Sequence, residues 1–162
     1  LSAKAVSHGC ALLLLVDGYN EVEAVTILTQ LRQAGVCIKS VGLTNGLAGG
    51  AHGVWLMPDL TLADLDRLNP SESVPLVILP LGGQGLGRLE ADPRVHKLLH
   101  RVIAQGGRIA VDTNGRQLLR AIQIGWNGLS ESRASILLRE PGQSTEDFAE
   151  HLARQLEQPL RV

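Results

Sequence analysis

Cysteines and aromatic residues are scarce in this 162-residue chain, which has two of the former and only Tyr19, Trp55, Trp126 and Phe148 of the latter. Cys10 and Cys37 form no CxxC, and no paired His/Cys spacing accompanies them, which excludes a disulfide scaffold and a zinc ribbon. A reduced, cytoplasmic setting is the default expectation. Cys37, between Val36 and Ile38, reads as a small packing residue on a strand, and Cys10 as an exposed residue ahead of the first one. The aromatic set is too small for the stacking platforms of single-strand nucleic-acid binders. Fifteen Lys and Arg stand against sixteen Asp and Glu, a formal charge of −1 with no basic run, so no nucleic-acid or anionic-membrane footprint is visible. The apolar run Ala11–Val16 is too short to span a membrane.

What the chain does have is aliphatic content. At 44% hydrophobic it can bury roughly 70% of the surface its unfolded form exposes, enough for one domain over residues 1–162. Residues 1–10 lack periodicity and read as a loose N-terminal segment, a trimmed terminus or a cloning remnant. The Arg-rich, Lys-poor basic set is a weak hint of a bacterial source.

Ala11–Val16 reads as a strand buried on both faces, ended by Asp17-Gly18. Val22, Val25, Leu28 and Leu31 predict the buried face of a helix over Glu21–Ala34, capped by Gly35. Val36–Val41 is a second strand, Leu43–Pro58 a hairpin or excursion strand, and Thr61–Leu68 a short helix. Val74–Pro80 is a buried strand feeding the Gly-rich segment Leu81–Gly87. Pro93–Gln105 is helical, Arg108–Val111 a strand, Asp112–Gly115 a tight turn and Gly115–Ile124 a helix. Ala134–Leu138 is the last strand, and Ser144 with Asp147 starts a helix running to about Leu156. This alternation predicts a flavodoxin-like three-layer α/β/α sandwich with about five parallel strands. Ligands in such folds bind beyond the carboxyl ends of the strands. That directs attention to Asp17–Glu23, Leu81–Gly87, Asp112–Gly115 and Arg139–Ser144.

Other candidate sites are weaker. Asp17 and Asp112-Thr113 suggest a phospho-receiver, but Pro80 and Arg139 stand where an acceptor Asp and a Lys are needed. Asp112 and Asn114 suit local turn hydrogen bonds instead. The Gly82–Gly87 spacing is GGxGxG, not the dinucleotide GxGxxG. His96 and His100 share a helix face but have no nearby third ligand, and His52 lies in a Gly-rich hairpin without an assignable role. No metal or cofactor is expected.

Six signatures in order, from about Ala11 to Leu156, resemble the ThiJ/PfpI superfamily, relatives of class I glutamine amidotransferases. They are Val16–Glu23, Gln33–Val36 with Val41–Leu43, Pro58-Asp59 with Leu65-Asp66, Pro80–Gly83, Val111–Gly115 and Arg139–Ser144. The resemblance implies a homodimer and a crevice built from Glu23, the amides of Gly82 and Gly83, and Asp112, Thr113, Asn114 and Gly115. Family enzymes place a reactive cysteine on a strained strand-to-helix elbow beside a helix N-terminus. Thr113 stands there, and a β-branched hydroxyl residue suits neither positive φ nor unassisted nucleophilic attack.

Two further departures accompany it. No His follows in Asn127–Arg133, and Leu81 replaces the first loop glycine. Glu23, at the position of the family's crevice carboxylate, is expected either to be held protonated by burial and donate to Thr113 or a ligand oxygen, or to act with Glu21 as a solvated first-turn acid. Two functional classes follow. The favoured one is a protein without the family's cysteine chemistry, a stress-related sensor, scaffold or binder of a small carbonyl or carboxylate ligand. The alternative is a hydrolase, glyoxalase or deglycase acting on reactive carbonyls or amides through a non-cysteine site in the same crevice.

Overall fold

The computed structural model describes residues 9–67, 72–79, 84–124 and 135–157. Six parallel strands form one sheet: β1 (Ala11–Leu15), β2 (Ile38–Gly42), β5 (Leu60–Thr61), β6 (Leu76–Ile78), β7 (Arg108–Val111) and β8 (Ile136–Leu138), in the order β5-β2-β1-β6-β7-β8. A separate antiparallel pair, β3 (Ala48–Gly49) and β4 (Trp55–Leu56), forms the excursion expected between Leu43 and Pro58. The fold is the expected flavodoxin-like α/β sandwich, with one more short edge strand, β5, than the sequence suggested.

Alternation along the strands decides what each face carries. Leu12, Leu14, Val77, Ile109 and Val111 point to one side. There they pack under α2 (Leu62–Asp66), α3 (Leu86–Ala91), α4 (Pro93–Ala104) and α5 (Thr113–Ala121). Leu13, Leu15, Leu76, Ile78 and Ala110 point to the other, under α1 (Glu21–Gln33) and α6 (Thr145–Glu157). Successive side chains of a strand leave on opposite faces, so both sides of this sheet are apolar and both need helical cover.

The helix ends follow local chemistry. Asn20 Oδ1 accepts from the Glu23 amide at 3.2 Å to start α1, and Ser144 Oγ accepts from Asp147 N at 3.1 Å to start α6. Asp92, followed by Pro93 at the first helical position, caps α4 through the Arg94 amide. Helix α1 ends where Gly35 takes φ +79°, with Gly35 N and Val36 N bonded back to Arg32 and Leu31 carbonyls.

Several expectations need correction. The buried stripe of α1 is Ala24, Ile27, Leu28 and Leu31, whereas Val22 is 73% exposed and Val25 is exposed too. A strict three-residue spacing drifts around a helix of 3.6 residues per turn, so a stripe anchored at Leu28 and Leu31 has left the core by Val22. Residues 113–115 are helical rather than part of a tight turn, because Asp112 caps α5 by accepting from Gly115 N at 2.8 Å. The Gly-rich segment yields a helix, α3, from Leu86.

The cysteines differ most from expectation. Cys10 and Cys37 are joined by a disulfide, with their Cα atoms 4.6 Å apart. Cys10 is 3% exposed and Cys37 is the exposed partner, the reverse of the sequence reading. The cause is register. Ala11 pairs with Ile38, and Ala11 N donates to the Cys37 carbonyl at 2.8 Å, so the residues just before β1 and β2 lie side by side. Among the described residues, no helix is long and apolar enough to cross a membrane.

Candidate functional site

The strand order turns back between β1 and β6: the chain leaves β1 toward β2 and returns on the other side of β1 to β6. A crevice is expected beyond the carboxyl ends of the strands at such a point. The segments after β1, β7 and β8 are described there. Gly82 and Gly83 lie outside the described residues, as do Pro80 and Leu81.

The turn after β1 is fixed by its backbone. Gly18 adopts φ +92°, a conformation that favours glycine. Its N–H donates to the Gly49 carbonyl at 2.8 Å, and its carbonyl accepts from Gln84 N at 3.1 Å. Asp17 accepts from Gly49 N at 3.0 Å and pairs with Arg88 at 3.0 Å, both side chains being largely exposed. Buried Tyr19 donates its hydroxyl to the Val54 carbonyl at 2.9 Å. Its phenol is held above the usual range by burial and by the neighbouring charge of Glu21.

Glu21 and Glu23 open α1 on opposite sides, since two residues are about 200° of helical rotation. Glu21 is 6% exposed and ties down the excursion. It accepts from His52 N at 2.5 Å, His52 Nδ1 at 2.9 Å and Val54 N at 3.3 Å. Burial opposes the charge on Glu21. The His52 ring and the backbone amides of Glu21, His52 and Val54 outweigh it and lower its pKa to about 2. Glu21 is thus a buried clamp, not the solvated first-turn acid of the sequence reading. Gly50 faces it, and a Cβ there would collide with the carboxyl group.

Glu23 faces the other way. Its Oε1 accepts from Arg139 Nη1 at 2.5 Å, both side chains being mostly buried, and its Oε2 is buried without a partner. Glu23 therefore acts as an acceptor toward Arg139, and neither oxygen bonds Thr113. Arg139 leaves the end of β8 in a turn where its Nε donates to the Gln143 carbonyl at 3.0 Å, Glu140 N donates to Gln143 Oε1 at 3.1 Å and Gly142 takes φ +83°. The Arg139–Ser144 signature was visible in the sequence, but its partnership with Glu23 was not.

Thr113 is exposed at the first position of α5. Among the described residues, Gln123 alone combines a side chain with positive φ, so Thr113 does not have the left-handed backbone expected of an elbow. Asp112 spends an oxygen on the α5 cap, Asn114 is exposed, and Gly115 is packed against Val111. The other sequence candidates separate. His96 meets the Glu90 carbonyl and His100 the Ile122 carbonyl. No described group of three or more His, Cys, Asp or Glu side chains is placed to hold a metal ion. The Pro58-Asp59 signature is a clamp: Asp59 Oδ2 accepts from Ser40 N, Ser40 Oγ and Arg32 Nη2 at 2.8, 2.9 and 2.9 Å.

The sequence profile of the DJ-1/PfpI family matches residues 10–128. The chain belongs to the DJ-1/PfpI family. Among solved structures it is similar to Drosophila melanogaster DJ-1beta, at 22% identity and TM-score 0.73, covering 91% of this chain and 90% of that one. It is also similar to Toxoplasma gondii DJ-1 in oxidised form, at 18% identity and TM-score 0.73, covering 91% and 95%. A ThiJ/PfpI domain protein from Brachyspira murdochii aligns at 18% identity and TM-score 0.72, covering 92% and 96%. At such identities the likeness establishes the fold.

Proposed function

We propose that this DJ-1/PfpI-family chain has lost the family's cysteine-dependent chemistry and serves as a binding or interaction protein, with a small carbonyl or carboxylate compound as the crevice ligand. The observation that carries the reading is the Glu23–Arg139 ion pair, together with a Thr113 that sits exposed at the first position of α5. Glu23 is engaged by a cation rather than by a nucleophile, and Thr113 is an exposed alcohol with no hydrogen-bonded base among the described residues. A carboxylate ligand would compete with Glu23 for the Arg139 guanidinium, whose planar fork suits such groups. Glu23, Arg139 and Asn114 are the binding candidates, together with the Gly82 and Gly83 amides.

The test is turnover of methylglyoxal, glyoxal and a small amide panel by the wild type and by Thr113→Ala. The expected result is no turnover above background for either. Turnover abolished by Thr113→Ala would establish the alternative, an enzyme with a non-cysteine nucleophile. A homodimer and a cytoplasmic, stress-related role belong to the same reading. The dimer is supported by the exposed apolar side chains Val22 and Val25 on α1 and Val54, Trp55 and Met57 on the excursion that Glu21 holds against that helix.

A further inference from the structure

The Cys10–Cys37 disulfide lies at the amino ends of β1 and β2, at the end of the sheet opposite the crevice. Its two halves are unequal. Cys10 is buried, whereas Cys37 is exposed and lines a cavity of about 400 Å³, a volume suited to a small molecule. The same cavity is walled by Gly35, Pro75, Arg108 from the start of β7 and Glu157 from the end of α6. Arg108 is oriented by donating to the Gln155 side chain. A cation and an anion thus stand around one cavity beside one accessible half-cystine.

We propose that Cys37 is the exchange-active sulfur of this disulfide, and that the cavity admits a small zwitterionic thiol, of the kind carrying both carboxylate and ammonium groups, to form a mixed disulfide with it. Exchange requires a thiolate to reach one sulfur and expel the other. Access selects Cys37 as the sulfur attacked and Cys10 as the leaving group. The incoming sulfur bonds to Cys37 Sγ, the Cys10–Cys37 bond breaks, and Cys10 departs as a thiolate that takes up a proton. A second small thiolate then attacks the mixed disulfide, releasing Cys37 as a thiolate and a small-molecule disulfide. The protein pair has gained two electrons and two small thiols have lost them, so no other reductant is required. Run in reverse, a small disulfide reoxidises the pair through the same Cys37 adduct. Arg108 is positioned for a carboxylate of the thiol and Glu157 for its ammonium group.

The probe is glutathione. Single variants Cys10→Ser and Cys37→Ser are treated with oxidised glutathione under native conditions and followed by intact-mass spectrometry. Cys37 in the first variant is expected to take up glutathione at least about tenfold faster than Cys10 in the second, and in urea the rates should converge as access equalises. Equal native rates, or a faster Cys10, overturn the proposal.

Should either variant fail to fold, the wild type answers the same question. After brief exposure to limiting reduced glutathione and an acid quench, peptide mapping is expected to place the adduct on Cys37. An adduct on Cys10, or no reaction short of global unfolding, overturns the proposal. Arg108→Ala should slow glutathione about threefold while leaving uncharged 2-mercaptoethanol unaffected. Equal effects on both thiols would overturn the assignment of a zwitterionic ligand.

Discussion

Glu23 and Arg139, separated by 116 positions in the chain, meet at 2.5 Å and tie the start of α1 to the end of β8. Both side chains are mostly buried, so losing one partner leaves a charged group poorly solvated. Arg139→Ala is expected to cost about 2 kcal/mol, the scale of a hydrogen bond to a charged group, and Glu23→Gln less because an acceptor oxygen remains. Urea unfolding of both single variants and the double variant should reveal coupling above about 0.5 kcal/mol. Strict additivity would mean that the pair is not energetically linked.

Acid stability should report on Glu21. Its folded pKa of about 2 lies below its ordinary value of 4.5, so the carboxylate stabilises the fold fully above the unfolded pKa. That contribution disappears as the pH falls from about 4.5 through 2. Glu21→Gln should therefore flatten the acid limb of the stability curve, leaving the share contributed by Asp59, Asp64 and Asp92, whose pKa values are also lowered. A mutant curve parallel to the wild type over that range would remove Glu21 from this role.

Reduction of the disulfide should lower the melting temperature. The sequence separation of 27 residues gives about 3.5 kcal/mol on the loop-entropy account. For a chain of this size that corresponds to roughly 7–14 °C. Calorimetry of Cys10→Ala/Cys37→Ala with and without reductant checks it, since the double variant should melt low and ignore the reductant. An unchanged melting temperature on reducing the wild type would show that the cross-link adds nothing to the fold.

The exposed apolar surface should govern self-association. Trp55→Glu, at a site 61% exposed, is expected to convert a dimer to a monomer without lowering the stability of the isolated fold. Sedimentation equilibrium of the wild type and variant decides, and a monomeric wild type at micromolar concentration would sink the dimer.

Much of this molecule follows from local rules that the sequence carries openly. Continuous aliphatic runs such as Ala11–Leu15 mark strands buried on both faces, and Asn20, Asp92, Asp112 and Ser144 supply the short polar groups that start helices. These depend on neighbours a few positions away, so residue type and spacing suffice.

Tertiary structure decided what lies beyond that range. Whether Val22 faces the core or solvent depends on how α1 is rotated against the sheet, and its own periodicity did not settle this. Glu23 could meet Arg139, and Glu21 could meet His52, only once β8 and the excursion had been placed. The cysteines show the same division. Composition excluded a disulfide scaffold, but whether these two residues bond depends on the parallel register of β1 against β2, which non-local hydrogen bonds and packing on both sheet faces fix together.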